Sequence, residues 1–180
     1  MSLYFLGADL GGSKTRVAIS DENGQVLGYA EGGPGNHEVV GMDGFQANLR
    51  QAAENALAGA EIQPAEIAGA GFGIGGYDWP NQAAPLLERI RPLGLGGAVE
   101  LVNDVELGLL AGSERGWGVA VVSGTGCNCR GWDASRQRRG RVTGGGAEFG
   151  EFAGASELMI LTTQALAYEW TGRRPPSQLS

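Results

Sequence analysis

The chain opens with short apolar or alternating runs that are separated by polar reversals, a pattern that predicts β-strands. The first reversal contains the pair Gly11-Gly12. The second, residues 21–24, ends in Asn23-Gly24, a strong short-range signal for a hairpin. We therefore expect an antiparallel meander, with strands over residues 4–9, 15–20 and 25–30.

A change to helical spacing follows the meander. Apolar side chains recur at intervals of three and four over residues 42–57, which predicts an amphipathic helix, and Gly59 is expected to end it as a C-cap. The small apolar run at residues 67–74 then predicts a buried strand. Gly75 and Gly76 come directly after it.

Strands and helices continue to alternate as far as residue 111. A second helix is expected over residues 82–90 with Asn81 as its N-cap, then a strand over residues 99–102 and a short helix over residues 105–111. The resulting βββαβαβα order, with crossover helices, predicts an α/β fold in which helices pack on a mixed sheet.

The opening pattern returns in outline after a polar segment at residues 113–116. A strand over residues 119–123 is followed by Gly124-Thr125-Gly126 and then by a strand over residues 127–132, much as the first strand is followed by Gly11-Gly12. Two such turns that face each other would grip a triphosphate from both sides. We predict an N-terminal lobe over residues 1–112 and the beginning of a similar second lobe over residues 117–180.

The C-terminal part predicts a polar reversal and one long helix. Residues 133–140 are expected to form a solvated loop tip that carries Arg136, Arg138 and Arg139. A glycine-rich approach then leads to a helix over residues 156–170. We expect most of its apolar residues to be core, namely Leu158, Leu161, Leu166 and Tyr168.

Composition narrows the functional classes. The 180 residues carry a formal net charge of −7 and have an isoelectric point near 4.7. Affinity for nucleic acid rests largely on Lys and Arg neutralising phosphates, so this charge argues against a nucleic-acid partner. No apolar window has the length of a membrane span and no leader pattern stands at the N-terminus, so no membrane partner is expected.

The cysteine content points to a reducing compartment. Cys127 and Cys129 are the two cysteines of the chain and form no disulfide framework, so a cytoplasmic location is the default. A Cys-x-Cys pair without further Cys or a nearby His supplies too few ligands for zinc. We expect Cys127 to be a small buried residue that lines a cleft.

The first glycine turn has the chemistry of an anion site. Backbone N–H groups that converge around Gly11 and Gly12 can bind a phosphate because no Cβ keeps it away, and Asp9 beside them can hold a hydrated Mg²⁺. The spacing is not that of a Walker A loop, since Ser13 stands before Lys14, nor of a dinucleotide fingerprint, since a strand follows. A triphosphate site in a hairpin and an ordinary tight turn both explain these residues.

Four motifs in a fixed order carry a resemblance that runs over residues 4–170. They are DLGGSKT at residues 9–15, GNH at 35–37, NDVELG at 103–108 and SGTGCNCRG at 123–131. With these motifs the chain resembles the BadF/BadG/BcrA/BcrD ATPase family, and within it the N-acetylglucosamine kinase-like branch. The resemblance implies an actin-like ATPase (ribonuclease H-like) fold and phosphoryl transfer from ATP to a sugar or amino sugar.

The resemblance also implies roles for single residues. It places Asp9 on the metal side of the first phosphate loop and Ser13 at the phosphate, makes Asp104 the general base, and matches Asn36 to an asparagine that binds sugar hydroxyls. The implied ligands are as follows: for ATP, Gly11, Gly12, Ser13, Lys14, Thr15, Gly124, Thr125 and Gly126; for the sugar, Asn36, Asp104, Cys127, Asn128 and Glu151; for Mg²⁺, Asp9.

Within the fourth motif, the resemblance implies that Thr125 faces the phosphate and that Asn128 faces the sugar. The chain departs from the family pattern after the glycine-rich approach, where Gly-Asp-Glu-Gly is usual and Gly150-Glu151-Phe152-Ala153 stands here. Glu151 would take the place of the Asp. The second lobe of the family also continues well past this point and supplies the adenosine pocket.

Simpler roles and other functions stay open. Asp104 can cap the helix that it opens, and a turn aspartate explains Asp78 equally well.

The second functional class is an ATPase that drives electron transfer, as in the activators of acyl-CoA dehydratases and reductases. Those hold an iron–sulfur cluster with cysteines at a dimer interface, whereas Cys127 lies in the presumed phosphate loop. The third class is a non-catalytic sugar- or nucleotide-binding module. A homodimer is compatible with all three.

Overall fold

A computed structural model describes residues 2–124 and 126–179, and the chain divides into two compact units, Met1–Gly108 and Leu109–Ser180. A five-stranded sheet lies in the first unit and a three-stranded sheet in the second. The α/β architecture predicted from the order of elements is confirmed. The division falls a few residues before the boundary predicted at residues 113–116.

The sheet of the first unit is mixed. Its strand order is β3-β2-β1-β4-β5. β1 pairs antiparallel with β2, and β2 antiparallel with β3, whereas β4 lies parallel to both β1 and β5. The predicted meander is therefore present and is extended by two parallel strands. The bounds are β1 Tyr4–Leu10, β2 Thr15–Asp21, β3 Val26–Gly32, β4 Ile67–Ile74 and β5 Ala98–Asn103.

Three helices follow the strands: α1 (His37–Ala60), α2 (Ala83–Ile90) and α3 (Asp104–Gly112). α1 starts earlier than predicted because the side chain of Asn36 accepts a hydrogen bond from the N–H of Glu38 and caps a first turn, which a kink at Gly41 (φ 70°) joins to the main helix.

Two predicted caps are wrong. Gly59 lies inside α1, and the residue with left-handed backbone that ends the helix is Glu61 (φ 59°). The N–H of Ile62 donates to the carbonyl of Leu57, and both side chains are buried, so packing sets this helix end. Asn81 does not cap α2 because a proline-initiated 3₁₀ turn, Pro80–Gln82, precedes that helix.

The core of the first unit lies between its sheet and the helices α1 and α2. Alternate residues at 6, 8 and 10 of β1 and at 15, 17 and 19 of β2 are buried, as strand geometry requires when one face is covered. α1 packs on β2 and β3. The residues that contribute the largest fully buried side chains are Leu10, Val17, Ile19, Phe45, Leu49, Ile67, Phe72, Ile74 and Leu86.

The second unit contains an antiparallel meander and one helix: β6 (Gly118–Ser123), β7 (Cys127–Trp132), β8 (Arg139–Val142) and α4 (Ala155–Trp170). β8 begins inside the segment predicted as a loop. Arg139 pairs in register with Trp132, and the guanidinium groups of Arg136 and Arg139 lie 4.8 and 5.8 Å from the centre of the Trp132 ring. The sequence of β8 shows no apolar alternation because it carries arginines, and Arg139 stacks on an aromatic ring.

The apolar residues of α4 are not core, contrary to the prediction. Leu158 and Leu161 are 62% and 49% exposed in the described chain. The buried residue of α4 is instead Glu157, whose carboxylate accepts a hydrogen bond from the N–H of Gly154.

None of the helices among the described residues combines the length and the apolar character that crossing a membrane requires.

Candidate functional site

Three strands of the first sheet end at the same edge. β1, β4 and β5 run parallel, so their carboxyl ends lie side by side, and Leu10, Ile74 and Asn103 are their last residues. The segments that follow are a glycine turn, Gly75-Gly76, and the start of α3 at Asp104. Ligand sites in α/β sheets commonly lie at this edge.

The first glycine turn is closed by a hydrogen bond from the N–H of Gly11 to the carbonyl of Lys14 (3.0 Å). The carbonyl of Gly11 in turn accepts from the N–H groups of Gly35 (2.9 Å) and Asn36 (3.1 Å). This arrangement binds the N-terminus of α1 to the turn. Asn36, the predicted sugar ligand, is thereby held beside the predicted phosphate loop.

Side-chain atoms of Asn36 and Asp104 both lie close to Gly75. The N–H of Gly75 donates to the carbonyl of Leu10 (2.9 Å). A Cβ added at Gly75 would lie 3.1 Å from Oδ2 of Asp104 and 3.5 Å from Nδ2 of Asn36. A carboxylate oxygen and an amide nitrogen from two separate helices therefore lie close to one point that no side chain occupies. An acceptor and a donor in this arrangement suit a hydroxyl ligand.

The buried residue Asn103 holds the start of α3, which carries Asp104, in place. The N–H of Val105 lies 3.1 Å from Oδ1 of Asn103 and 3.0 Å from Oδ1 of Asp104, while Nδ2 of Asn103 donates to the carbonyl of Tyr77 and to Oδ1 of Asp78. Asp104 thus contributes one oxygen to the helix start and brings the other toward Gly75. Asn103 was missed as a site residue, although a polar residue that ends an apolar strand was the available signal.

Asp9 belongs to a row of charges across three strands. Oδ2 of Asp9 accepts from Nη1 of Arg16 (2.9 Å), and Nε of Arg16 donates to Oε1 of Glu31 (3.4 Å). Glu31 also accepts from the hydroxyl of Tyr29 (2.6 Å) and lies 3.5 Å from Nζ of Lys14. The hydrogen bond from the Tyr29 hydroxyl is the main reason why the pKa of Glu31 lies below its usual value. The hydrogen bond to the Asp9 carboxylate raises the pKa of Arg16. Sequence analysis did not single out Arg16 or Glu31.

The residues of the first turn differ in what they offer a phosphate. Gly12 and Ser13 are exposed, as the prediction requires. Thr15 is fully buried, as the alternation of β2 requires, and the described residues offer its hydroxyl no hydrogen-bond partner. A contact of Thr15 with phosphate stays a prediction.

A divalent cation would find one protein carboxylate at this turn. Within residues 2–124 and 126–179, no group of three or more His, Cys, Asp and Glu side chains could form a metal cage. Asp9 is half-exposed and uses one oxygen for Arg16, and a carboxylate has a second oxygen for a cation. This donor set fits Mg²⁺, which is usually held by one or two carboxylates together with phosphate oxygens and water.

The second glycine turn is built in a similar way. The N–H of Gly124 donates to the carbonyl of Gly126 (2.9 Å), and the carbonyl of Gly124 accepts from the N–H of Ala155 at the start of α4 (2.9 Å). A Cβ at Gly154 would lie 2.5 Å from Cα of Gly126, so only glycine fits where the chain passes the turn. Thr125, predicted to contact phosphate, lies outside the described residues.

The predicted sugar ligands of the second unit are Cys127, Asn128 and Glu151. Cys127 and Cys129 are half-buried free thiols on β7. Oδ1 of Asn128 is buried, and the described residues offer it no hydrogen-bond partner. Glu151 accepts from the N–H groups of Thr143 (2.9 Å) and Gly145 (2.8 Å), which lowers its pKa. The structure thus shows Glu151 holding its own loop, and its contact with a substrate stays a prediction.

The strand order and the two glycine turns define the class of protein. They form the fold of actin-like ATPases and sugar kinases, and solved structures share it. A protein from Chromobacterium violaceum that is provisionally named an N-acetylglucosamine kinase superposes with a TM-score of 0.75 at 24% identity, over 98% of this chain and 61% of that one. A ROK family glucokinase from Streptomyces griseus, solved with glucose and AMPPNP, gives 0.52 at 20% identity, over 81% and 48%.

The chain belongs to the BadF/BadG/BcrA/BcrD ATPase family, whose sequence model matches residues 6–178. The resemblance of the four motifs is thereby confirmed, and membership implies the use of ATP. Over 138 residues the chain is 32% identical to an N-acetylmuramic acid/N-acetylglucosamine kinase of Clostridium acetobutylicum. The matched region covers 77% of this chain and 44% of that relative. The chain therefore spans less than half the length of this curated relative.

Proposed function

We propose that the protein to which this chain belongs transfers the γ-phosphoryl group of ATP to a hydroxyl of a sugar or amino sugar. The observation that supports this most is the meeting of Asp104 Oδ2 and Asn36 Nδ2 at Gly75, next to the first glycine turn. The name of the Clostridium relative, which refers to N-acetylmuramic acid and N-acetylglucosamine, supports an N-acetylated amino sugar as the acceptor.

In the proposed reaction, Asp104 is the general base. Its Oδ2 accepts the proton of the attacking hydroxyl, because a base must lie within hydrogen-bond reach of the proton that it takes. Asn36 donates from Nδ2 to a neighbouring sugar oxygen and orients the acceptor. The hydrogen bonds of Asn103 to Tyr77 and Asp78 keep the start of α3, and with it Asp104, in place.

The glycine turns bind the triphosphate in this proposal. Gly11, Gly12, Ser13 and Thr15 contribute from the first turn, and Gly124, Thr125 and Gly126 from the second. Lys14, which follows Ser13 in the first turn, would add a positive charge. Mg²⁺, when bound, neutralises charge on the phosphate oxygens, and Asp9 would hold it through water.

The sugar-side contacts of Cys127, Asn128 and Glu151 are also part of the proposal, as are the two lobes over residues 1–112 and 117–180. We propose a cytoplasmic protein with a small-molecule substrate and with neither a nucleic-acid nor a membrane partner, which can form a homodimer. The acidic net charge of −7 agrees with the absence of a nucleic-acid partner.

Asp104→Asn tests the proposed base. Phosphorylation by ATP is measured for the full-length protein over a panel of hexoses and N-acetylhexosamines. The variant is expected to lose about a thousandfold or more in rate, within the range for general-base catalysis, while sugar affinity stays within about tenfold. The control is Asp43→Asn on α1, whose side chain is 93% exposed and pairs with Arg89. It should transfer phosphate normally.

Three outcomes would change this conclusion. Normal turnover by Asp104→Asn would show that the base is another group. Sugar binding without any turnover by the wild-type protein would favour a non-catalytic binding module. A brown preparation that contains iron would favour the electron-transfer ATPase, with Cys127 or Cys129 as the first residues to substitute.

A further inference from the structure

A further carboxylate lies beside the proposed sugar site. Gly76 follows Gly75 and has a left-handed backbone (φ 79°). A Cβ added to Gly76 would lie 2.7 Å from Oδ1 of Asn36 and 3.0 Å from Cγ and Cδ of Glu38. Glu38 is an exposed residue in the first turn of α1. Its side chain therefore lies across Gly76, next to the asparagine of the site.

The carboxylate of Glu38 is close enough to act on a bound sugar through its charge. Consecutive Cα atoms lie about 3.8 Å apart, so the carboxyl carbon of Glu38 and the point shared by Asn36 and Asp104 at Gly75 are separated by no more than about 10 Å. A substituent on the sugar can shorten this distance. Two like charges within this range at a protein surface repel strongly enough to change an affinity about tenfold, even after partial screening by salt.

The negative charge of Glu38 is uncompensated within the described part of the chain. Its carboxylate has no ion-pair or hydrogen-bond partner among those residues. The cations of the first glycine turn are paired with other carboxylates, Lys14 with Glu31 and Arg16 with Asp9 and Glu31. A sugar beside Glu38 therefore meets the full charge of that side chain.

The segments that form the proposed site add further negative charge. Residues 35–38, 75–82 and 103–108 contain no lysine or arginine. Their acidic residues are Glu38, Asp78, Asp104 and Glu106. A site lined by one sign of charge raises the local concentration of ligands of the opposite sign and repels those of the same sign. The charge of the acceptor is therefore a property that this site can distinguish.

We infer that Glu38 determines specificity, in that it makes the acceptor site favour a neutral or cationic amino sugar over one that carries a carboxylate. This role rests on the proposed function, since it concerns the acceptor of the same site. N-acetylglucosamine is uncharged, whereas N-acetylmuramic acid carries a carboxylate. Glu38 acts by repelling the second, and an unfavourable contact with the wrong ligand is a common means of selection.

Glu38 also has a simpler role in the helix. A negative charge in the first turn of a helix is stabilising, because it interacts favourably with the helix dipole. That role does not depend on the sugar, so its loss would change the affinity for all sugars alike. A charged and an uncharged sugar of the same shape therefore separate the two roles.

Calorimetric titration of the full-length protein with three sugars tests the role of Glu38. The sugars are N-acetylglucosamine, N-acetylmuramic acid and the methyl ester of N-acetylmuramic acid, which keeps the shape of the acid and removes its charge. We expect the wild type to bind the ester about tenfold more tightly than the acid at low salt. The ratio of the two affinities should fall as the ionic strength rises. Equal affinities of the wild type for acid and ester would overturn the role.

Glu38→Gln removes the charge and keeps the shape of the side chain. It should bring the ester-to-acid ratio of affinities close to one. The control is Glu54→Gln, the same change on the same helix, about 20 Å beyond the kink at Gly41, where Glu54 pairs with Arg50. It should keep the wild-type ratio. A ratio that Glu38→Gln leaves unchanged, or that both substitutions lower equally, would overturn the role of Glu38.

Transfer from ATP is measured separately, so that the role of Glu38 and the proposed function can fail independently. Selective binding of the ester without phosphorylation of any of the three sugars would contradict the proposed function and support the role of Glu38. Phosphorylation together with equal affinities for acid and ester would overturn the role of Glu38 alone. A wild-type protein that binds none of the three sugars would overturn both.

Discussion

The hairpins β1–β2 and β6–β7 have the same plan in different surroundings. Each joins two antiparallel strands through a glycine turn whose carbonyl binds the start of a helix. Leu6, Ala8 and Leu10 of β1 are buried, whereas Val119 and Val121 of β6 are exposed in the described chain. Local sequence thus determines the hairpin, and burial depends on strands and helices that come from elsewhere in the chain.

The two turns also differ in the chemistry around them. Beside the first turn, the side chains of Asn36 and Asp104 lie close to Gly75, whose N–H binds the carbonyl of Leu10. The described neighbours of the second turn are mainly backbone groups of residues 153–155. The proposed general base therefore belongs to the first unit, and the proposed role of the second turn is to bind phosphate.

The largest expected effect concerns the core of the first unit. Phe72→Ala removes a fully buried ring of β4 and should lower the free energy of unfolding by about 4 kcal/mol. Leu158→Ala on α4 of the 180-residue chain is the comparison, and it should cost less than about 0.5 kcal/mol because this side chain is largely exposed. Urea unfolding followed by circular dichroism measures both. Similar costs would show that the second unit buries its apolar face after all.

The next effect concerns the contact between the first turn and α1. A Cβ at Gly35 would lie 2.5 Å from the Thr15 hydroxyl and 2.7 Å from Cβ of Leu10, so Gly35→Ala should cost about 3 kcal/mol of stability. Gly7→Ala on β1 is the control, since nothing lies within 4 Å of its added Cβ. An unchanged denaturation midpoint for Gly35→Ala would mean that α1 is not held against the turn.

The smallest effect is a pH dependence in the second unit. Hydrogen bonds from Thr143 and Gly145 lower the pKa of Glu151 in the folded chain from its usual 4.5. Their stabilisation is complete above pH 4.5 and is lost as the pH falls through the lowered folded pKa. The protection of the amides of residues 143–151, measured against the intrinsic exchange rate at the same pH, should fall in that acid range, and Glu151→Gln should remove the dependence. Protection that falls toward neutral pH instead would contradict the assignment.

Sequence analysis predicted the elements that local pattern determines. The bounds of β4 and β7 agree with the predicted strands at residues 67–74 and 127–132. β4 is a short apolar run that ends at a glycine pair, and β7 follows directly on a glycine turn. The meander and the order of elements in the first unit were also predicted. The motifs led to the correct family because their order along the chain is specific.

The remainder depends on contacts between distant residues. β8 was missed because it carries arginines in place of alternating apolar residues, and Arg139 stacks on Trp132. The core assignment of Leu158 was wrong because helical spacing does not show what covers a helix. Within the site, spacing did not show the Arg16–Glu31 pair, because the two residues come from different strands. The partners of Asn103, Tyr77 and Asp78, likewise come from a distant segment that follows β4. The assignment of Thr15 to phosphate stays a prediction, and strand alternation buries this residue.

The central claim is that Asn36 and Asp104 form one sugar site at Gly75, and calorimetric titration with N-acetylglucosamine tests it most directly. In Gly75→Ala the added methyl would lie 3.1 Å from Asp104 Oδ2 and 3.5 Å from Asn36 Nδ2, whereas the methyl of Gly71→Ala, on the strand β4 that precedes Gly75, meets nothing within 4 Å. We predict that Gly75→Ala weakens sugar affinity by about tenfold or more while Gly71→Ala leaves it unchanged. Equal affinity of both variants and the wild type would contradict the account.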